Sequence, residues 1–251
     1  MGNVQGGHSR LQAVILAGGL GTRLGRLTRT VPKPMLPVDG RPFLEYEIEL
    51  LRKNGIGDIV LCVGHLGEAI EDHFGDGREF GVSIRYAYDG KKLLGPAGAL
   101  KRAEPLLDDS FFVTYGDAYL RADYRMIMSR LRQSGALGLM TVYRNNDRHG
   151  RSDIVVKEGR VVLYDKKNRA EGMVWINFGV SALRRRALDA IPPGRPCGEE
   201  EFYGKLIALR ELISYPVRRR FYEIGTPIAL REFERFISGR GTGARRRQLA
   251  S

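Results

Sequence analysis

VILAGGLGTRLGRLTRTVPKPMLP, residues 14–37, starts as an unbroken apolar run, breaks into Gly18-Gly19, Gly21 and Thr22-Arg23, and closes on Pro32-Lys33-Pro34. A short apolar run stopped by glycines reads as a buried strand, Ala13–Leu16, of the kind that sits inside a parallel sheet. Glycines directly after such a strand let backbone N–H groups approach a phosphate or a base with no Cβ in the way. In open α/β sheets the loops at the carboxyl ends of strands are where ligands bind. Two well-known phosphate loops do not fit. The pattern GxGxxG fails because Leu24 stands where the third glycine belongs, and GxxxxGK[ST] fails because Arg26 stands five residues after Gly21. What remains is a glycine loop with its own arginine and lysine, which points to a triphosphate held by side-chain cations.

Outward from this stretch the pattern alternates. Asp58–Val63, Ser83–Ala87 and Phe111–Tyr115 read as further strands. Leu44, Ile48 and Leu51 fall on one helical face that Asn54-Gly55 ends, and Ala99–Leu107 reads as a second helix closed by Asp108-Asp109. Alternation of this kind predicts a mostly parallel sheet covered on both faces. After a strand at Leu137–Tyr143, Glu158-Gly159 predicts a hairpin between Asp153–Lys157 and Val161–Asp165. A strand at Val174–Val180 follows, then helical segments near Arg184–Ala190 and Glu199–Leu212, and a strand near Ser214–Ile224. Thr226-Pro227 then marks the start of a helix with Leu230, Phe233 and Ile237 on one face. The expected organisation is a flexible N-terminus over residues 1–10, one domain over 11–238 and a disordered basic tail over 239–251.

The 251 residues allow one substantial core. No apolar run approaches a bilayer span, and the run before Gly18 is too short for a signal-peptide core, so a cytoplasmic protein is expected. The opening Met-Gly lacks the Ser or Thr that myristoylation wants at position 6. Cys62 and Cys197 stand alone, which excludes a disulfide scaffold and structural zinc, and Cys62 reads as a small buried side chain. His65, His73 and His149 lack metal-ligand spacing, and Trp175 reads as core. Lys and Arg total 41 against 29 Asp and Glu, a formal charge of +12. That excess suits phosphorylated metabolites as well as nucleic acid. No stretch interleaves aromatic with basic residues as a single-strand platform would, so neither nucleic acid nor membrane is an expected partner.

The stretch 14–37 resembles the signature LAGGxGTRLxPLT…PKPLxP of the nucleotide-sugar pyrophosphorylases, the sugar-1-phosphate nucleotidylyltransferases. Further segments match in order from about Leu11 to Ile237: LLGPAGAL at 93–100, YGDAY at 115–119, YDKK at 164–167, INFGV at 176–180 and EIGTP at 223–227. The resemblance implies a three-layer α/β/α Rossmann-like sandwich whose mixed central sheet is mainly parallel. It implies that a nucleotide lies along Leu16, Ala17, Gly18, Gly19, Gly21 and Thr22, with Gly95 and Gly98 against the base. Arg23 would hold the β- and γ-phosphates, Lys33 the α-phosphate, and Asp117 a Mg²⁺ ion with Glu223 in the place of a second carboxylate. Asp165 and Lys166 would meet the sugar phosphate, and Asn177 and Gly179 would line the sugar pocket.

Chemistry agrees with these implied roles. Phosphoryl transfer needs placement and charge neutralisation more than covalent help. A phosphate monoester with a second pKa of about 6 is already a dianionic nucleophile near neutrality. It needs no general base, and no Ser/His/Asp or Cys/His set is present. Three positions depart from the family: Pro96 replaces Thr, Asp165 replaces Glu, and Glu223 replaces Asp. The run VPKPMLPVDGRPFLEY most resembles guanylyltransferases acting on mannose- or heptose-1-phosphate. Asp89 gives that reading slight support, since a carboxylate accepts from guanine N1–H and N2–H₂ together. Uridylyl-, cytidylyl- and thymidylyltransferases stay open. So does a non-catalytic subunit that binds nucleotide-sugars, although Arg23 and Lys33 are both retained. A glycosyltransferase is disfavoured, because Ala118 and Tyr119 follow Asp117 where a DxD motif would continue. The expected assembly is a monomer or small homo-oligomer acting on an NTP and a sugar-1-phosphate.

Overall fold

The structure, a computed structural model, describes residues 11–90, 92–148, 150–219 and 221–239. The N-terminal ten residues, His149, Arg220 and the arginine-rich segment 240–247 lie outside the described residues. In chain order the strands are β1 (Leu11–Leu16), β2 (Pro37–Val38), β3 (Arg41–Pro42), β4 (Ile56–Val63), β5 (Ser83–Tyr88), β6 (Ser110–Tyr115), β7 (Ala118–Tyr119), β8 (Gly138–Arg144), β9 (Ile154–Lys157), β10 (Arg160–Tyr164), β11 (Trp175–Arg184), β12 (Leu212–Pro216) and β13 (Tyr222–Glu223). The α-helices are α1 (Phe43–Lys53), α2 (Gly67–Phe74), α3 (Gly95–Ala103), α4 (Tyr124–Ser134), α5 (Glu199–Ala208) and α6 (Pro227–Ile237).

Nine strands form one sheet in the order β5-β4-β1-β6-β11-β8-β12-β10-β9. β5, β4, β1 and β6 are parallel, β11 runs against both β6 and β8, and β12 is parallel to β8. The β9–β10 hairpin turns through Glu158 and Gly159, both at positive φ, as a two-residue turn requires.

Alternate residues of a buried strand face opposite layers, and β1 follows that rule. Ala13 and Ile15 join the core under α1, α2 and α4, while Val14 joins the core under α3 and α5. A third apolar cluster seats Phe233 of α6 against Phe43, Leu36 and Ile224, and so holds the segment between Leu24 and Tyr46 on the body.

The expected elements shift in four places. α3 begins at Gly95, because Pro96 suits a first helical turn and Gly95 takes the positive φ that turns the chain into it. The region read as helical from Arg184 stays extended through Arg184, paired with Ser110 of β6, and only then forms a 3-10 turn over Arg185–Ala190. α5 stops at Ala208, and Arg210 at φ 59 redirects the chain into β12. The last expected strand is two strands in different sheets: β12 in the main sheet and β13 in a small ribbon with β7. α2, α4 and the β2–β3 ribbon have no counterpart in the sequence reading.

Candidate active site

β1 sits between β4 on one side and β6 on the other, so the chain order switches direction at its carboxyl end. A crevice opens there by construction. The segments that leave β1 and β6 are the glycine loop and Gly116-Asp117. They are tied at their roots: Gly116 N–H donates to Leu16 O at 3.0 Å, and Ala17 N–H donates to Cys62 O at 2.8 Å. A Cβ at Gly116 would meet Pro34 Cγ at 2.9 Å and Ala17 Cβ at 3.3 Å, so only glycine lets the Pro32–Pro34 segment close over the sheet edge. Gly21 sits at φ 63 with its space taken by Thr28, whose hydroxyl donates back to Gly21 O at 3.0 Å. That bond fixes the loop between the strand and the first basic turn.

The resulting cleft has a volume of about 310 Å³, at the small end of the range for ligand pockets. Of the residues expected to meet a nucleotide, Leu16, Ala17, Gly18, Gly19, Gly21, Thr22, Asp89 and Gly95 all line it, together with Arg23, Lys33 and Asp117. Gly98 does not: a Cβ there would meet Leu94 and the backbone of Arg195 and Cys197, so it is a packing contact one layer behind the wall. The cleft also has lining residues that were not anticipated, among them Pro34, Tyr115, Gly116 and Gly225. Each lies inside a quoted motif, Pro32-Lys33-Pro34, YGDAY or EIGTP, although no role was read for it there. Cys62 is buried as expected, donates to Ala99 O at 3.7 Å, and also borders the cleft.

Charge in the cleft is arranged around Asp117. The Lys33 ammonium donates to Asp117 Oδ2 in a close ion pair, with the lysine side chain 11% and the aspartate side chain 29% exposed. Glu223 is brought near by the β7–β13 ribbon, in which it stands opposite Ala118, and Ile224 N–H donates to Asp117 O at 3.0 Å. The point a Gly225 Cβ would occupy is 3.3 Å from an Arg23 guanidinium nitrogen and 3.4 Å from Glu223 Oε2. Arg23, Glu223 and Asp117 therefore converge on one wall, and Glu223 forms no ion pair with Arg218 or Arg219. Asp89 lies at the opposite end, where Leu94 N–H donates to its Oδ2 at 3.2 Å. Burial pushes the Asp89 carboxyl up, and the Leu94 amide partly offsets this.

The residues expected to meet the sugar phosphate do not line this cleft. Lys166 Nζ lies 2.7 Å from Glu199 Oε2, which also accepts from Tyr164 Oη at 3.1 Å. Glu199 reaches Tyr115 as well: burial, then the Glu199 carboxylate, push the Tyr115 phenol well above its ordinary value. Lys166 is thus held by Glu199, whose charge is felt at Tyr115 in the cleft wall. Asp165 accepts from the backbone N–H groups of Lys167 and Asn168 at 2.7 and 2.8 Å, which engages its carboxylate in a turn and holds its pKa below the usual range. Asn177 Oδ1 accepts from Gly179 N–H at 3.2 Å across a bulge in β11. There Gly179 sits at φ 83, and a Cβ built on it would meet Ala118 Cβ, beside Asp117, at 3.3 Å. Asp153 belongs to the same neighbourhood. Burial raises its carboxyl to about 6 against the pull of Lys166, and its Oδ1 has no hydrogen-bond partner.

A glycine-lined crevice at the switch point of a mixed α/β sheet, with two cations and two carboxylates on one wall, defines a protein that handles phosphates. The model of the nucleotidyl transferase family matches residues 12–160, and the chain belongs to that family. It is 35% identical over 201 residues to a UTP–glucose-1-phosphate uridylyltransferase of Synechocystis, covering 74% of this chain and 52% of that protein. It is 30% identical over 223 residues to a D-glycero-α-D-manno-heptose 1-phosphate guanylyltransferase of Aneurinibacillus thermoaerophilus, covering 86% of this chain and 94% of that one. The chain thus spans about half the length of the first relative and nearly all of the second. Among solved structures it shares the fold of HddC from Yersinia pseudotuberculosis, complexed with GMP-PN, at a TM-score of 0.73 and 24% identity over 90% of this chain and 99% of that one. The family match contains the glycine loop, Lys33, Asp89 and Asp117, while Lys166, Asn177, Gly179 and Glu223 lie beyond it.

Proposed function

We propose that the chain, as one domain over residues 11–238, transfers a nucleoside monophosphate from an NTP to a sugar-1-phosphate. The products are a nucleotide-sugar and pyrophosphate. The observation that carries this reading is the convergence of the glycine loop, Arg23, Lys33 and Asp117 on one cleft. A sugar-phosphate oxygen attacks the α-phosphorus in line and the P–O bond to the β-phosphate breaks, so pyrophosphate leaves with the bonding pair. Lys33 places an ammonium where negative charge builds on the α-phosphate oxygens, and Arg23 takes the β- and γ-phosphates. Lys166, held by Glu199, orients the incoming phosphate, and Asn177 and Gly179 border the sugar.

The carboxylates suit Mg²⁺. Among the described residues no group of three or more His, Cys, Asp or Glu side chains could hold an ion unaided. Mg²⁺ asks for only one or two carboxylates and completes its shell with water and phosphate oxygens. Asp117 would hold it, assisted by Glu223, and its contribution would be to neutralise charge on the phosphates. Asp117 already attracts a cation, the Lys33 ammonium. A bound triphosphate would offer that ammonium a second set of oxygens and free the carboxylate.

The first substrate pair to test is GTP with heptose- or mannose-1-phosphate. Relatives of about 30% identity are guanylyltransferases for those sugars by name, and Asp89, which lines the cleft, is a carboxylate of the kind that accepts from guanine N1–H and N2–H₂. The other bases are the alternatives, since the Synechocystis relative is a uridylyltransferase by name. We place the enzyme in the cytoplasm as a monomer or small homo-oligomer; no helix among the described residues is long and apolar enough to cross a membrane. The test is pyrophosphate release across all NTPs and a panel of sugar-1-phosphates, with Mg²⁺. Release only when both substrates are present supports the reading. No turnover on the full panel, with tight binding of nucleotide-sugars, would replace it with a binding subunit.

A further inference from the structure

Three carboxyl groups share the neighbourhood of Lys166, and their hydrogen-bond partners differ. Glu199, at the start of α5, accepts from Lys166 Nζ at 2.7 Å and from the Tyr164 hydroxyl at 3.1 Å. Glu200 Oε1 accepts from the Lys166 backbone N–H at 2.9 Å. Asp153 has no such donor at Oδ1, which is shut off from solvent without a hydrogen-bond partner. We infer that Asp153 takes up a proton from solvent when a sugar-1-phosphate reaches Lys166, which couples the sugar side of the site to pH. The inference rests on Lys166 as the proposed ligand of that phosphate.

The backbone pins Asp153 in place. Its N–H donates to Trp175 O at 3.0 Å and its carbonyl accepts from Asp165 N–H at 2.9 Å, so it is held between β11 and the end of β10, just before β9 begins. A buried carboxylate with an unpaired oxygen favours its neutral form. The surrounding groups act in opposite directions. Burial is the largest influence and pushes the carboxyl up, Lys166 and the residue's own N–H pull it down, and Glu199 and Glu200 from α5 push it up again. The outcome is about 6, so near neutral pH Asp153 is mostly ionised, with Lys166 as its counter-charge. Tyr164, from β10, also faces it; burial, then the Glu199 and Asp153 carboxylates, raise that phenol and keep it a neutral donor. From β11 the neighbour is the Trp175 carbonyl, which carries no charge.

An arriving phosphate disturbs this arrangement. Three carboxylates with one ammonium leave two negative charges in excess, and a sugar phosphate, with a second pKa of about 6, brings two more above neutrality. The ammonium then faces phosphate oxygens, and Asp153 loses the pull that kept it ionised. Glu199 retains the Tyr164 hydroxyl and Glu200 retains the Lys166 amide. The carboxylate without such a donor is the one that gains the proton, and no bond of the substrate is broken. Linkage fixes the sign. A proton taken up on binding means that binding weakens as pH rises between the free and the bound pKa of Asp153.

Urea melts of the full chain without ligand ask whether Asp153 titrates as a buried acid. Its folded value of about 6 lies above the ordinary 3.8, so stability present below 3.8 is lost as pH rises through 6. Asp153→Asn lacks that proton, and its stability relative to wild type should climb from pH 4 to pH 7. Pyrophosphate-release assays with GTP and mannose 1-phosphate or glucose 1-phosphate then give KM for the sugar phosphate against pH. The variant imitates the protonated acid, so wild-type KM divided by variant KM should grow at least about threefold between pH 6 and pH 8.5, with kcat within about twofold. The sugar phosphate's own proton is common to both proteins and cancels in that ratio. Should Asp153→Asn fail to fold, calorimetry on wild type decides. Mannose 1-phosphate titrated at pH 7.5 in two buffers of different ionisation heat must show net proton uptake. A ratio flat with pH, a variant with raised KM at every pH, melts without the Asp153 slope, or binding without proton uptake would each overturn the coupling. No turnover and no sugar-phosphate binding, with the slope still present in the melts, would remove the proposed reaction and this coupling together. Turnover with a flat ratio removes the coupling alone.

Discussion

Two side chains on either side of the sheet edge carry the sharpest expectations at the scale of single residues. Lys33 meets Asp117 at the cleft, and its proposed partner is charge that develops only as the α-phosphate is attacked. Lys33→Ala should therefore lower kcat by roughly 10²–10³ and change KM far less. A variant within about twofold of wild type in kcat would remove Lys33 from the reaction. Below it, Glu47 of α1 is buried at 2% exposure, with Oε1 accepting from the Thr114 hydroxyl and Oε2 without a partner. Burial pushes this carboxyl well above its ordinary value near 4.5; the Thr114 hydroxyl opposes the shift and the nearby Asp117 charge adds to it. The folded chain then keeps a proton that the unfolded chain releases, so stability falls as pH climbs from about 4.5 toward the folded pKa. Glu47→Gln mimics the protonated acid and removes that slope. Its stability relative to wild type should rise between pH 5 and pH 8 in urea melts, and parallel pH profiles would show that Glu47 is already ionised. Lys33 was legible in the sequence because PKP follows a glycine loop. Glu47 was not, because Leu44, Ile48 and Leu51 define the same helix whether or not a neighbouring acid is turned inward.

Among elements, the β7–β13 ribbon and α6 decide how the wall that carries Asp117 and Glu223 is held. Ribbon pairing sets Glu223 opposite Ala118, one residue past Asp117, a placement no reading of a single strand from Ser214 to Ile224 contains. Two-residue strands carry no periodicity, so only the neighbouring motifs YGDAY and EIGTP announced that these segments belong to one site. Glu223→Gln keeps size and hydrogen bonding while removing charge. If Glu223 assists the ion, kcat should drop and the Mg²⁺ concentration for half-maximal rate should rise. Unchanged values for both would leave Asp117 as the sole carboxylate there. α6 was easier to foresee: Thr226 Oγ1 accepts from Ala229 N–H at 3.2 Å, Pro227 opens the helix, and Phe233 is fully buried against Phe43 at a centroid distance of 4.8 Å. Thr226→Ala should cost about 1 kcal/mol through the lost cap. Since α6 packs against Tyr222 of the ribbon, that loss should lower the melting temperature by about 2–4 °C and leave the Mg²⁺ requirement alone.

For the whole molecule, the cleft is built from segments far apart in the chain: the glycine loop near residue 20, Cys62, Asp89 with Leu93, Gly95, Pro96 and Ala99, then Tyr115–Asp117 and Gly225. A ligand that touches all of them binds only when the sheet, both helical layers and the ribbon are assembled. It binds the folded state and not the unfolded one, so it must raise the unfolding free energy by RT ln(1 + [L]/Kd), about 2.7 kcal/mol at a hundredfold excess over Kd. For a chain of this size each kcal/mol moves the midpoint by about 2–4 °C, so a saturating NTP with Mg²⁺ should raise the melting temperature by roughly 5–11 °C. The same scan reads the base without any sugar phosphate present. If Asp89 accepts from guanine, GTP should give the largest shift among the NTPs, and Asp89→Ala should bring GTP down toward the others. Removing Mg²⁺ with a chelator should shrink the shift, because the triphosphate would then face Asp117 and Glu223 without a compensating cation. Equal shifts from all four NTPs in wild type and in Asp89→Ala would take base recognition away from Asp89. A shift indifferent to Mg²⁺ would mean that Arg23 and Lys33 alone neutralise the triphosphate in the ground state.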